Sequence, residues 1–169
     1  MFEFMYSLIL TFGYFGIFLV NLIATASIFI PIPGWLFTVP AGFYLNPVLV
    51  AIAAGTGAAI GELTSYGIGY AGKRIYLSRQ KGKKKKYTQK WLEKIEFWFK
   101  KHGGFVVIFL FALTPLPDDF VGIFCGAVKY DIKKFFLAQL IGKIMMSLLL
   151  VYAGLYGLSW FLGLFGVGL

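Results

Sequence analysis

The chain has little of what soluble chemistry relies on. Its single cysteine, Cys125, excludes an internal disulfide and any multi-cysteine metal site. Flanked by apolar residues and Gly126, it reads as a small buried packing residue. The single histidine, His102, flanks a basic stretch where no further ligands converge, and a metal site needs several. There is no Ser-His-Asp set and no phosphate-binding glycine loop, so the expectation is no enzyme, no metal and no cofactor. Charge is scarce as well. Only 14% of residues are charged, against roughly a quarter in a soluble domain. Acids number seven. The first 30 residues carry Glu3 in place of a basic start and no small-residue cleavage site, so no signal peptide is expected.

What is present is apolar. With 59% hydrophobic residues and mean hydropathy +0.80 over 169 residues, the chain reads as one integral membrane domain, residues 1–169. Of 16 Lys and Arg, 12 lie between Lys73 and Lys101. A basic run beside membrane spans marks the cytoplasmic side, and that reading outweighs nucleic acid. The run Lys83, Lys84, Lys85 and Lys86 is a candidate contact for anionic lipid heads as well as a solvated anchor.

Prolines are few, and four of the six stand in two pairs. The first is Pro31-Ile32-Pro33-Gly34, followed by Gly42. The second is Pro115-Leu116-Pro117, followed by Asp118, Asp119 and Gly126. A shift of 84 positions superposes Pro31 on Pro115, Pro33 on Pro117 and Gly42 on Gly126. Paired prolines remove backbone donors and clash with the preceding turn, so no helix runs straight through them. Such backbone survives at membrane depth only inside protein or against a wet cavity.

The fold expected is therefore all-α: an inverted repeat of two re-entrant proline hairpins, each followed by a transmembrane helix. Repeat one covers 14–72 and repeat two 103–158. Between them lies a basic cytoplasmic segment, 73–102, whose residues 88–101 read as an amphipathic interfacial helix. Residues 1–13 read as an interfacial lead-in, with continuation into the next helix left open. Asn46-Pro47 reads as a turn and helix start. Residues 48–72 form a span with Gly57, Gly61, Ser65 and Gly69 on one smooth face, suited to close helix packing. One crossing helix per repeat inverts the second copy, brings both apices to the midplane and puts both termini outside.

These residues also carry a resemblance. Pro31-Ile32-Pro33-Gly34 with Ala41-Gly42, the run Gly57-Ala58-Ala59-Ile60-Gly61-Glu62 with Tyr66, Gly69 and Gly72, then Pro115-Leu116-Pro117, Gly126, Phe135 and Gly142 together resemble the DedA family, also called VTT-domain proteins. The match covers roughly residues 14–158. The resemblance implies a membrane lipid translocase, a flippase or scramblase of phospholipid or polyprenyl-phosphate carrier lipid, with the two opposed hairpins as its fold. The chain departs from the bacterial pattern. Ala26 and Trp35 stand where acids are usual, and Ala112 and Asp118 where arginines are usual.

Three acids sit in apolar surroundings: Glu62, Asp118 and Asp119. Ionisable residues at such depth face a cavity or a partner and mark a path for substrate or protons. For the aspartates the structural alternative is helix capping, since an arm begins just after them. Lys143 is expected to snorkel to the surface rather than pair with them. The partners expected are membrane lipids, with protons as a candidate coupling ion, in a multi-pass cell membrane protein. Two other functions fit the same residues: a proton-coupled exporter of a small solute, and a membrane scaffold without transport.

Overall fold

The computed structural model describes residues 2–27, 33–79, 90, 94, 97, 99, 103–114 and 118–164. Among them are helices and the turns between them, with no strand. Pro31, Pro115, Pro117, Lys83, Lys84, Lys85 and Lys86 lie outside the described residues, as does most of the expected amphipathic helix.

Helix α1 (Phe2–Phe12) and helix α2 (Tyr14–Ala26) are separated by Gly13, whose φ is 56°. That left-handed conformation suits glycine and turns the chain back. The Leu8 carbonyl comes hard against Gly16, so α1 folds onto α2. The lead-in therefore does not continue into the next helix.

Helix α3 (Trp35–Tyr44) follows Pro33 and Gly34. Helix α4 (Pro47–Gly61) starts as its sequence directs. Asn46 Oδ1 accepts from the backbone N–H groups of Val48 (3.1 Å) and Leu49 (3.3 Å), and Pro47 takes the first position. Glu62 interrupts the helix for one residue, and α5 (Leu63–Arg79) continues it. The basic loop expected from residue 73 thus begins later, because Lys73, Arg74 and Arg79 prolong the helix. A cationic last turn is favourable at a helix C-terminus.

In the second half, α6 (Gly104–Ala112), α7 (Asp119–Ala127) and the long α8 (Ile132–Leu164) follow. Among the described residues, two stretches are long and apolar enough to cross a membrane, Pro47–Tyr76 and Ile132–Gly157. Their outward faces carry exposed Ile52, Ile60, Ile68, Leu137, Ile141 and Leu149, while Glu62, Gln139 and Lys143 are buried. Apolar outside and polar inside is the pattern of a chain solvated by lipid.

The small-residue face of α4 and α5 works as expected and is divided between two partners. Gly57 and Gly61 let α2 approach at Phe18, Leu22 and Thr25. Gly69 meets the Ile123 carbonyl of α7, and Ser65 meets Gly122. Helix α8 packs on α4, on α6 through Gly142, and on α3, where Val151 covers Gly42. Gly126 of α7 meets the Tyr66 carbonyl of α5. Each short helix after a proline segment thus packs on the long helix of the other half: α3 on α8, and α7 on α5.

Two apolar clusters bracket a polar middle. One gathers Ile17, Ala41, Val50, Ala54 and Val151. The other gathers Tyr66, Phe99, Ile108, Cys125, Tyr130 and Phe135. Cys125 is buried there, as its sequence context suggests, and Tyr66 donates to the Tyr130 carbonyl at 2.6 Å. Phe99 is helical and stacks edge-on against Phe124 and Tyr130.

Helix α7 ends in a Schellman motif. Tyr130 N–H donates to the Cys125 carbonyl (2.9 Å) and Lys129 N–H to the Gly126 carbonyl (3.1 Å). Lys129 holds the left-handed position, φ 56°, that glycine normally takes. Its ammonium lies 5.6 Å above the Tyr70 ring. Relief of about 1–2 kcal/mol of strain exceeds the loss of about 0.5–1 kcal/mol of cation–π attraction, so Lys129→Gly raises the melting temperature. A lower melting temperature in detergent would show that the Tyr70 contact dominates.

Candidate functional site

The polar middle is built on Glu62, Asp118 and Lys143. Glu62 sits in the one-residue break between α4 and α5, Asp118 immediately before α7, and Lys143 in the first half of α8. Three separate segments thus deliver one charge each to the same place. Lys143 Nζ donates to Asp118 Oδ1 at 2.7 Å and lies 3.4 Å from Glu62 Oε1. All three side chains are buried. Ser65 Oγ donates to Glu62 Oε2 at 3.0 Å and to its own helix at the Glu62 carbonyl, 2.7 Å. Asp119 stands beside them, half-buried.

This overturns the snorkelling expected of Lys143. The residue is nine positions beyond Lys134, about 14 Å along the helix, too far for its stem to reach the surface. An unpaired ammonium at that depth is costly, and two carboxylates provide the pair. Capping does not account for Asp118 either. It occupies the N-cap position of α7, yet its side chain makes no capping hydrogen bond and turns to Lys143 instead. Its second oxygen, Oδ2, is buried without a hydrogen-bond partner.

A cavity of about 280 Å³ opens beside the charges. Glu62, Asp118, Asp119 and Lys143 line it together with Pro33, Gly34, Trp35 and Thr114. Residues flanking both proline segments therefore share one cavity. Its far wall is polar too. Asn21 Nδ2 donates to the Ile17 carbonyl (2.9 Å) and to Thr38 Oγ1 (3.0 Å), joining α2 to α3. Thr25 Oγ1 donates to the Asn21 carbonyl at 2.6 Å and reaches the Ala58 carbonyl at 3.2 Å. With three acids and one cation around it, the cavity is acidic unless protons or a positive group compensate.

Of the residues singled out in the sequence, Glu62, Asp118, Asp119, Pro33 and Gly34 come together here. Gly42, Gly57, Gly61, Tyr66, Gly69 and Gly126 do not. They hold the helices close around the cavity. Asn21, Thr38 and Gln139 were not singled out as site residues. The available signal was a lone polar side chain in an apolar helix.

Asp131, at the surface, is a separate matter. Its Oδ1 accepts from the Lys133 and Lys134 backbone N–H groups at 2.9 and 3.0 Å and caps α8. The Lys134 amide above all holds its carboxyl below the usual range. That cap is present at neutral pH and is lost as pH falls through the lowered value.

Comparison with known proteins places this arrangement. The family model for the VTT domain matches residues 32–156. The chain is 34% identical over 151 residues to the uncharacterised membrane protein YkoX of Bacillus subtilis, covering 88% of this chain and 66% of that one. It is 28% identical over 157 residues to the membrane protein YbfM of the same organism, covering 90% and 94%. It is 36% identical over 102 residues to the vacuole membrane protein KMS2 of Arabidopsis thaliana, covering 55% of this chain and 24% of KMS2. The chain thus spans just under two thirds of YkoX and about a quarter of KMS2. No solved structure matches it. With a family model spanning most of its length and relatives that are themselves membrane proteins, this chain belongs to the VTT-domain, or DedA, family.

Proposed function

We propose that this protein moves lipids between membrane leaflets, passing the polar head group through the acidic cavity while the acyl chains stay in the surrounding hydrocarbon. One observation carries the reading: a buried group of charges opens onto a cavity shared by the flanks of both proline segments. A broken segment in each half, with a polar site between the halves, is the arrangement of alternating-access transporters. The cross-packing of α3 on α8 and of α7 on α5 is what an inverted repeat with re-entrant hairpins would require. Trp35, Phe43 and Phe120 are exposed near the hairpin arms and suit an acyl-facing groove, with Phe37 half-buried behind them.

The exposed aromatic side chains beside the cavity favour a lipid over the solute reading, since a small polar solute would have no use for them. The excess of acids over Lys143 supports protons as the coupling ion. The partners in this proposal are membrane lipids and protons, and the setting is a multi-pass protein of the cell membrane. No chemical conversion of the lipid is part of it. A scaffold without transport would need the buried charges only to hold the helices together, and would have no use for a cavity opening onto them.

The topology follows, with Lys73 to Lys101 in the cytoplasm and both termini outside. Cysteines at Ser78 and Ser159 are expected to react with an impermeant reagent from opposite sides. Reaction of both from one side would refute the inversion. Purified protein in vesicles with fluorescent lipids tests the function itself. Exchange between leaflets faster than in protein-free vesicles is expected for at least one head group. Exchange no faster for any of several head groups, with solute flux present, would favour the exporter, and neither activity would favour the scaffold.

A further inference from the structure

Beyond the cavity, one polar side chain has no explanation in the site described so far. Gln139 lies one turn before Lys143 on the same face of α8. It is fully buried, and neither Nε2 nor Oε1 finds a hydrogen-bond partner in the protein. Buried amides are almost always satisfied, through ordered water where the protein offers nothing. An amide that presents donors and an acceptor together needs a small partner able to do both, which is the chemistry of water.

Its position gives that water a use. The cavity extends from Lys143 toward Met146, Ser147 and Leu150, one way along α8. Gln139 lies the other way, between Lys143 and the exposed Lys133 and Lys134. Lys129, three residues before α8 and above the Tyr70 ring midway along α5, adds a further cation at that end. Along α8 the order is therefore surface lysines, buried Gln139, buried Lys143, cavity.

We propose that Gln139 holds water in a narrow inner path by which protons reach Lys143, Asp118 and Glu62 from the basic face, on the side away from the head-group cavity. The proposal rests on the proton-linked reading above. A proton enters from bulk water at the basic face, passes along the water at Gln139 and ends on the Asp118 or Glu62 carboxylate. Its release into the cavity restores the carboxylate, and Lys143 remains the counter-charge throughout. The charged groups around this path are Lys129, Asp131, Lys133 and Lys134 at its mouth, Glu62 from the α4–α5 break, Asp118 and Asp119 from the start of α7, and Lys143, and the titratable Tyr66, Cys125 and Tyr130 pack around Phe135 beside it. Among the described residues, α2, α3 and α6 bring no charged group to it.

Hydroxyl-radical footprinting by X-ray radiolysis of the full chain in lipid nanodiscs reads buried water directly and needs no transport. Phe135, fully buried one turn before Gln139, is the reporter. Labelling of Phe135 is expected in the wild type and should fall roughly ten-fold in Gln139→Leu, while Gln139→Asn, which keeps an amide, retains part of it. Proton flux into vesicles, read from an entrapped pH dye, is expected to fall likewise in Gln139→Leu. A protected Phe135 in the wild type, equal labelling in wild type and Gln139→Leu, or equal proton flux in the two would each overturn the path. If Gln139→Leu does not fold, labelling of the wild type against Gln139→Asn decides. Absence of lipid exchange in the wild type would sink the translocase reading and leave the labelling result standing.

Discussion

Lys143→Met lowers folding stability at neutral pH by about 3–5 kcal/mol, the range for removing one partner of a buried ion pair. Among the described residues, the ammonium is the one cation against Glu62, Asp118 and Asp119. Without it Asp118 and Glu62 face each other inside protein with Ser65 as the remaining donor to either. Methionine fills nearly the same volume, so packing changes little and the loss reports charge. Adding Asp118→Asn should recover part of the loss, because the second substitution removes one of the two stranded carboxylates and its repulsion of the other. The coupling energy from that double-mutant cycle is the quantity to measure, by unfolding in mixed micelles. A loss below about 1 kcal/mol for Lys143→Met alone would mean that the site is open to water and that the pair contributes as a surface pair does.

Much of the fold was legible because its punctuation is local. Asn46-Pro47 starts α4 by satisfying backbone donors within four residues, and such signals need no knowledge of the rest of the chain. The glycine spacing from Gly57 to Gly69 announced close packing, though not that two different helices would share the face. The turn at Gly13 was not legible, since a glycine inside an apolar run shows its left-handed turn only when α1 has somewhere to fold. The acids at 62, 118 and 119 stood out against apolar neighbours. Lys143 also stood out, but its partners lie 81 and 25 positions away in the chain, and pairing across such separations depends on helix arrangement. Gln139 carries no charge and so gave no comparable signal, although a buried amide bears a similar need for partners. The helical continuation to Arg79 was missed because lysine and arginine read as loop when counted as charge and as helix when counted by propensity.

Glu62→Gln and Asp118→Asn, each made singly, are expected to fold and to lose transport. Both exchanges keep size and one acceptor oxygen, turn the other oxygen into an NH2 donor, and remove the ability to carry a charge or take up a proton. Asp118→Asn still leaves Lys143 an oxygen to donate to and a carboxylate at Glu62, so the ammonium is not stranded. Their effect on stability should therefore be smaller than that of Lys143→Met. Their effect on function should be larger, since the carboxylates line the cavity proposed as the head-group path. A reduction in exchange rate of roughly ten-fold or more corresponds to about 1.4 kcal/mol of barrier for each factor of ten.

The measurement is lipid exchange between leaflets in one set of vesicles, with wild type, Glu62→Gln and Asp118→Asn at equal density and across a range of pH. Fast exchange in the wild type, with slow or pH-independent exchange in both folded variants, is the predicted result. Equal rates and equal pH profiles in all three would contradict the account and reduce the buried acids to structural parts of the helix packing.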